Sequence, residues 1–387
     1  MPWKETRVMD ERMGFIAAVL QQERGGNFTQ LCERFGISRE TGYKWVERYR
    51  QQGPEGLRDR KPVPASCPHR TPDAVESRVV ELRKQWPSYG PKKLRAMLRE
   101  RAPELAVPAA STIGDILERN GLIRPRRVRL RVPPSSSPLA HAQQPNDVWC
   151  VDFKGHFALG DGSRCYPLTV TDAASRYLIK CESVAQPDET HCRPHFERAF
   201  QEFGVPTRIR SDNGPPFASK ALGGLSRLSV WWVQLGVMPE RIEPGKPQQN
   251  GRHERFHLTL KQQTASPPKS DSAEQQRAFD RFRHEYNDLR PHEALSQTPP
   301  ARHYEPSLRP LPEPRAPHYD PDTTVRWVDP SGAISMKGTR VQLARLLAAQ
   351  PVGLHQIDAD EWELFYGPLP LGYLLMRNGK PRIEPLR

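Results

Sequence analysis

At residues 146–157 the sequence reads NDVWCVDFKGHF, and there the composition changes to the alternation of a β-strand. Asp152 stands within this strand, and the alternation places its side chain on the face opposite the apolar Trp149 and Val151. A carboxylate among apolar neighbours on a central strand is costly unless it is paired or bound to a metal. The stretch therefore predicts a sheet that carries a functional acid.

The segment 146–300 is predicted to fold as one α/β domain built around this strand. Three strands joined by hairpins come first, and helix and strand then alternate, which predicts a mixed five-stranded sheet with helices on its faces. This order is that of a ribonuclease-H-like core. The remaining strands are predicted at 166–171, 177–184, 207–210 and 240–243, and the helices at 190–203, around Trp231 and Trp232, at 251–263 and at 273–288.

Residues 1–55 have the pattern of a helix-turn-helix. An apolar stripe at Met13, Ile16, Val19 and Leu20 predicts the first helix, and Ser38 can cap a later one that ends near Tyr49. The outward face of that later helix suits the major groove of DNA. Its candidate DNA-binding residues are Arg39, Tyr43, Lys44 and Arg48. A plain helical hairpin with a solvated face is the alternative.

Residues 70–125 are predicted to form a second helix-turn-helix or winged-helix-like unit, with apolar positions such as Leu94 and Ile113 in its core. A basic linker rich in Arg, Pro and Ser follows at 124–145. Its arginines form either a solvated face or, as we favour, a track for a phosphate backbone. They are Arg124, Arg126, Arg127, Arg129 and Arg131.

Length and charge agree with this multidomain organisation. The 387 residues exceed one ordinary domain. Residues 1–150 hold 27 Lys and Arg against 17 Asp and Glu, a balance of +10, and the rest hold 31 against 28, a balance of +3. This asymmetry indicates an N-terminal third that neutralises phosphates. The sequence shows neither an apolar run long enough to cross a membrane nor a secretory signal, and the six scattered cysteines are expected to be reduced. We therefore expect a cytoplasmic protein with no membrane partner.

Two further acids are candidates for the same site as Asp152. Asp212 precedes the Asn-Gly turn that follows the fourth strand, and Glu254 lies in the first turn of the helix that begins at Gly251. Carboxylates suit hard Mg²⁺, which can activate a water molecule and stabilise a leaving oxygen. The competing Asp161 and Asp172 fall in predicted hairpin turns, where Asp serves the backbone.

Four motifs in order resemble bacterial insertion-sequence transposases of the retroviral-integrase superfamily. They are WxxDF at 149–153, SDNGPPF at 211–217, PGxPQQNGRHERFHxTLK at 244–261 and YNDLRPH at 286–292. The resemblance implies that Asp152, Asp212 and Glu254 are the catalytic triad and hold two Mg²⁺ or Mn²⁺ ions. The 41 residues between Asp212 and Glu254 exceed the spacing of many relatives, and we expect the excess at 222–232.

Cationic side chains near the third acid are candidates for DNA contact. Lys246, Arg252 and Lys261 are expected to meet phosphates, whereas His257 either orients DNA or only packs. Glu240 and Glu243 lie near a short strand and lack the helical context of Glu254. The stretch that ends at His292 is expected to close the last helix, with Arg290 in a structural ion pair.

The resemblance implies a bacterial transposase that binds the terminal inverted repeats of a mobile element, cleaves there and transfers the strand into target DNA. Joining two ends requires at least a dimer on DNA. A DNA-binding regulator with an inactive integrase-like domain, or a ribonuclease-H-like nuclease, are the alternatives. A tyrosine or serine recombinase fits less well because no nucleophile lies in a recognisable setting.

The remaining C-terminal sequence is predicted to form a linker and one small domain. Residues 301–320 are rich in proline and indicate a linker. Short strands within 325–387 predict a small all-β barrel, which could bind nucleic acid or protein. Those strands are expected at 325–328, 333–336, 362–366 and 371–377.

Overall fold

The computed structural model describes residues 8–21, 27–59, 70–123, 139, 141–153, 155–242, 251–377 and 380–385, without the side chains of 251–254. The chain divides into two units, Met1–Thr71 and Pro72–Arg387. Within the described ranges every helix is too short or too polar to cross a bilayer.

The first unit is the predicted helix-turn-helix. Its helices are α1 (Val8–Gln21), α2 (Phe28–Arg34) and α3 (Arg39–Gln52). Ser38 caps α3, since its Oγ accepts a hydrogen bond from Thr41 N at 3.1 Å. The stripe predicted on α1 is partly wrong, because Ile16 is buried beside Phe15 whereas Met13 and Leu20 are exposed.

The second unit begins with the other predicted three-helix segment. Helices α4 (Asp73–Gln85), α5 (Pro91–Arg101) and α6 (Ala110–Arg119) pack around a core that includes Leu94 and Ile113. Residues 70–123 contain three helices and no strand, so this described segment has no wing.

A mixed sheet follows, as predicted. Its strands are β1 (Val148–Phe153), β2 (Phe157–Ala158), β3 (Arg164–Asp172), β4 (Leu178–Val184), β5 (Arg208–Ser211) and β6 (Met238–Arg241). Five of them lie in the order β4-β3-β1-β5-β6, and the short β2 pairs with the start of β3. The first three long strands are antiparallel, whereas β5 and β6 run parallel to β1.

Helices cover both faces of this sheet. They are α7 (Glu189–Phe203), α8 (Arg227–Gln234), α9 (Gly251–Thr264) and α10 (Ser272–His284). Trp149 and Val151 of β1 share a core with the aromatic side chains of α7 and α8. Phe256 and Leu260 of α9 pack with α10 and β4 in another cluster. Because side chains alternate along β1, Asp152 is on the face opposite Trp149 and Val151, as predicted.

The C-terminal region is all β, but the predicted barrel is not confirmed, because the described residues form no closed sheet. Its strands are β7 (Thr324–Trp327), β8 (Ala333–Met336), β9 (Thr339–Gln342), β10 (Pro351–Asp358), β11 (Glu361–Tyr366), β12 (Leu369–Arg377) and β13 (Lys380–Glu384). The sheet β13-β12-β11-β10-β7 is open, and β8 and β9 form a separate hairpin. Its apolar face is covered by that hairpin and by Val230 and Val233 of α8, so burial does not require closure.

The proline-rich stretch at 301–320 is packed on the core. Ser307 N donates to Phe203 O at 2.8 Å, and the Tyr304 ring stacks on Tyr177 at 4.3 Å. Arg309 donates to two carbonyl oxygens of the α/β core, those of Pro206 and Gly236. This stretch therefore lies along the α/β core and is hydrogen-bonded to it.

Candidate active site

Strand register brings two of the predicted carboxylates together. β1 and β5 pair in parallel, with Val148 opposite Arg208 and Cys150 opposite Arg210. Asp152 lies two residues further along β1, and Asp212 directly follows β5. Neighbouring strands are about 4.8 Å apart. Both acids therefore lie at the same end of the two central strands.

The Asp152 side chain is only 15% exposed. Its Oδ1 accepts a hydrogen bond from Phe153 N at 2.8 Å, and its Oδ2 lies 3.9 Å from Nδ1 of His257 on α9. The predicted cost of burying this acid is thus met in part by polar neighbours.

Asp212 is held in the turn after β5. Its Oδ1 accepts from Gly214 N at 3.2 Å, and the Asn213 side-chain amide donates to Ile242 O at 3.0 Å, which ties the turn to the residue after β6. Burial raises the pKa of Asp212 above its ordinary value, and the hydrogen bond from Gly214 opposes this in part. A desolvated carboxylate favours a bound cation, and oxygen ligands of this kind suit Mg²⁺.

The third proposed acid, Glu254, lies on the helix predicted for it. Glu254 lies in the first turn of α9, but its side chain and that of Arg252 are outside the described residues. Among the side chains that are described, no three metal-ligating groups come together. Several other candidates also lie outside the described residues: Lys246, Glu243, Arg124, Arg126, Arg127, Arg129 and Arg131.

His257 and Lys261 differ in environment although both are on α9. His257 is 4% exposed, and its Nε2 lies 2.9 Å from Thr169 Oγ1 on β3. This burial contradicts the predicted DNA contact and agrees with the packing alternative. Lys261 is exposed, as a phosphate contact requires.

The competing acids accept hydrogen bonds or form ion pairs elsewhere in the fold. Asp161 Oδ1 accepts from Ser163 N at 2.9 Å, and Asp172 accepts from the backbone N–H groups of Ser175 and Asn146, both at 2.7 Å. Both are therefore turn or backbone aspartates, as predicted. Glu240 faces Arg210, whose Nη1 lies 3.3 Å away.

The predicted DNA-binding face of α3 is largely open. Arg39, Tyr43 and Lys44 are exposed, and the Tyr43 ring stacks on Phe28 with centroids 4.4 Å apart. Arg48 is half-buried because its guanidinium lies over the ring of Trp45.

One polar junction was missed by sequence reasoning. Tyr89, between α4 and α5, is fully buried, and its hydroxyl donates to Glu285 Oε1 in the α/β core at 3.0 Å. The Arg290 guanidinium lies over the Tyr89 ring, donates to Gln263 on α9, and is 4.0 Å from Glu285. The ion pair predicted for Arg290 is present, but no sequence pattern pointed to Tyr89 as its neighbour.

Family models match the α/β domain and the helical segments before it. A family model described as integrase core domain matches residues 142–247, and a second one with the same description matches 235–300. Models of a helix-turn-helix domain and a homeodomain-like domain match 12–64 and 41–117.

Several known proteins are similar to the chain. An uncharacterized 39.2 kDa protein of insertion element IS476 from Xanthomonas euvesicatoria is 29% identical over 240 residues, 62% of this chain and 66% of that protein. An uncharacterized 31.7 kDa protein of IS407 from Burkholderia multivorans is 28% identical over 59% of this chain and 80% of its own length. The HTLV-2 integrase catalytic core in complex with magnesium is 16% identical, with a TM-score of 0.34, over 42% of this chain and 98% of that one.

Fold, motifs and family models define the central domain as an integrase core that follows two helix-turn-helix segments. The chain is also similar to the proteins of insertion elements IS476 and IS407. The chain spans just under two thirds of the IS476 protein.

Proposed function

We propose that this protein binds the terminal inverted repeats of a mobile element and catalyses metal-dependent DNA cleavage and strand transfer. The observation that carries the proposal is the parallel pairing of β1 with β5, since Asp152 and Asp212 lie at the same end of these two strands. Helix α9, on which Glu254 stands, packs on the face of the sheet to which Asp152 belongs.

Asp152, Asp212 and Glu254 are the residues that would hold two Mg²⁺ or Mn²⁺ ions. Bound ions of this kind activate an attacking oxygen and stabilise the leaving one. The proposed acids supply hard oxygen ligands, and the burial of Asp212 favours a cation next to it. Exposed Lys261 would contact a phosphate of the bound strand.

The reaction proceeds by two displacements at phosphorus and without a covalent enzyme intermediate. In the first, a water oxygen bonds to phosphorus at the element's end, the bond to the 3′ oxygen breaks, and that oxygen takes up a proton. In the second, this 3′-hydroxyl loses its proton, bonds to a phosphorus of the target strand and displaces a target 3′ oxygen. The protein's carboxylates and cations hold the strands in line.

The helical segments supply recognition of the ends. The exposed face of α3 would enter a major groove, and the second three-helix segment would extend the site. The arginines after residue 123 would follow the phosphate backbone. Two ends have to be joined in one event, so we propose at least a dimer on DNA.

The test is a cleavage and joining assay with full-length protein, DNA that carries the element's ends, and Mg²⁺. We expect nicked and joined products from the parent and neither from Asp152→Asn, Asp212→Asn or Glu254→Gln. Asp161→Asn is the matched control, because that acid only serves its own turn. Joining by Asp152→Asn would refute the carboxylate mechanism. A parent that binds ends without cutting them would be a regulator, and one that cuts without joining would be a nuclease.

A further inference from the structure

A buried hydroxyl and a buried imidazole connect the helix of the third acid to the strand of the first. Thr169 on β3 is the register partner of Asp152 on β1. The Thr169 hydroxyl lies 3.0 Å from the backbone oxygen of Asp152 and 2.9 Å from Nε2 of His257. Thr169 is fully buried and His257 nearly so, which keeps water from replacing either contact.

The Thr169 hydroxyl carries one hydrogen, which can go to Asp152 O or to Nε2 of His257. In the first arrangement the ring donates from Nε2 to Thr169 Oγ1. In the second, Nε2 accepts, and the hydrogen on Nδ1 faces the Asp152 carboxylate at 3.9 Å. In both arrangements the ring is held between Thr169 and Asp152.

The location of this bridge distinguishes it from ordinary packing. Apolar contacts of Phe256 and Leu260 hold α9 on the sheet, but apolar packing is non-directional. The bridge from Thr169 to His257 is directional, and it lies one helical turn after Glu254. Both of its ends converge on Asp152, at the backbone oxygen and at the carboxylate.

We propose that Thr169 and His257 are positioning residues, which fix α9 against β1 so that Glu254 and Asp152 stand at the separation that the metal ions require. This inference rests on the proposed function. Neither residue is a ligand in this proposal. Their effect is exerted through the two acids, in the way that outer hydrogen bonds orient metal ligands.

The first test measures Mn²⁺ affinity of the full-length protein without DNA, by electron paramagnetic resonance of the free ion. We expect Thr169→Val and His257→Leu to weaken Mn²⁺ binding about tenfold. Thr169→Ser keeps the hydroxyl and His257→Gln keeps an N–H donor, so both should bind Mn²⁺ nearly as the parent does. Ser183→Ala is the control, since it removes another helix-to-sheet contact, 3.1 Å to Ser272 on α10.

The second test is a spectroscopic one. Nitrogen NMR of histidine-labelled protein, at a pH where the ring is neutral, should show His257 as one fixed tautomer, and Thr169→Val should shift that signal. A mixture of tautomers in the parent would overturn the proposal, and so would unchanged Mn²⁺ affinity in both Thr169→Val and His257→Leu. Should Asp152→Asn bind Mn²⁺ as tightly as the parent, the metal site and the proposed function would themselves be wrong.

Discussion

Replacement of Tyr89 by Phe tests how the second three-helix segment is held on the α/β core. The change removes one hydroxyl, which donates to Glu285 Oε1 at 3.0 Å, and keeps the buried ring between Trp86 and Arg290. A hydrogen bond to a charged group contributes about 1.5–3 kcal/mol. Glu285 retains the Gln263 amide at 3.3 Å, so we expect a loss at the lower end, about 1–2 kcal/mol.

The assay is urea unfolding of the full-length protein. A second measure is the rate of limited proteolysis within the three-helix segment that begins after residue 70. Tyr43→Phe is the matched control, because its ring is stacked but 53% exposed, and it should change stability by less than about 0.5 kcal/mol. A double-mutant cycle with Glu285→Gln should show coupling between the two sites. If Tyr89→Phe were no less stable than Tyr43→Phe, the junction would not hold the segment in solution.

Three further changes follow from local contacts. Burial lowers the pKa of Lys93 to about 7, so above that pH the unfolded chain binds a proton that the folded chain lacks. The free energy of unfolding should therefore rise from pH 7 towards 10 in urea titrations of the parent. The rise should be smaller in Lys93→Met. Ser38→Ala removes the cap of α3 and should lower the stability of the first unit by about 1 kcal/mol, measured by its melting. Gly223 has a φ of +61° and a Cβ there would lie 2.7 Å from Leu371, so Gly223→Ala should cost more in urea unfolding than Gly121→Ala, which has a similar φ of +67° but open space.

Much of the fold was predictable because its elements have strong periodic patterns. The helices of the core begin and end within a few residues of their predicted bounds, and β1 alternates as its sequence implies. The stripe predicted on α1 was partly wrong because the helix buries the face that carries Phe15 and leaves Met13 and Leu20 exposed. Tertiary packing, which the pattern alone does not contain, sets that face. The barrel predicted for the C-terminal strands is not confirmed, and strand patterns alone could not decide it because they do not reveal what covers a sheet.

The site was less predictable, because its distances depend on register. Asp152 could be identified from the cost of burying a carboxylate, but Asp212 alone is an ordinary turn residue. Only the pairing of β1 with β5 brings the two to the same end of the sheet. The bridge from Thr169 to His257 had no signal in the sequence, since the two residues are 88 positions apart.

Helix α8 explains how the C-terminal sheet can stay open. It overlaps the stretch 222–232, where the extra residues between Asp212 and Glu254 were expected, and it is apolar on two sides. Trp231 and Trp232 pack into the core of the α/β domain, whereas Val230 packs into the apolar face of the C-terminal sheet. Helix α8 therefore provides a second layer that the C-terminal sheet would otherwise have to form by closing on itself, and it attaches that sheet to the α/β domain.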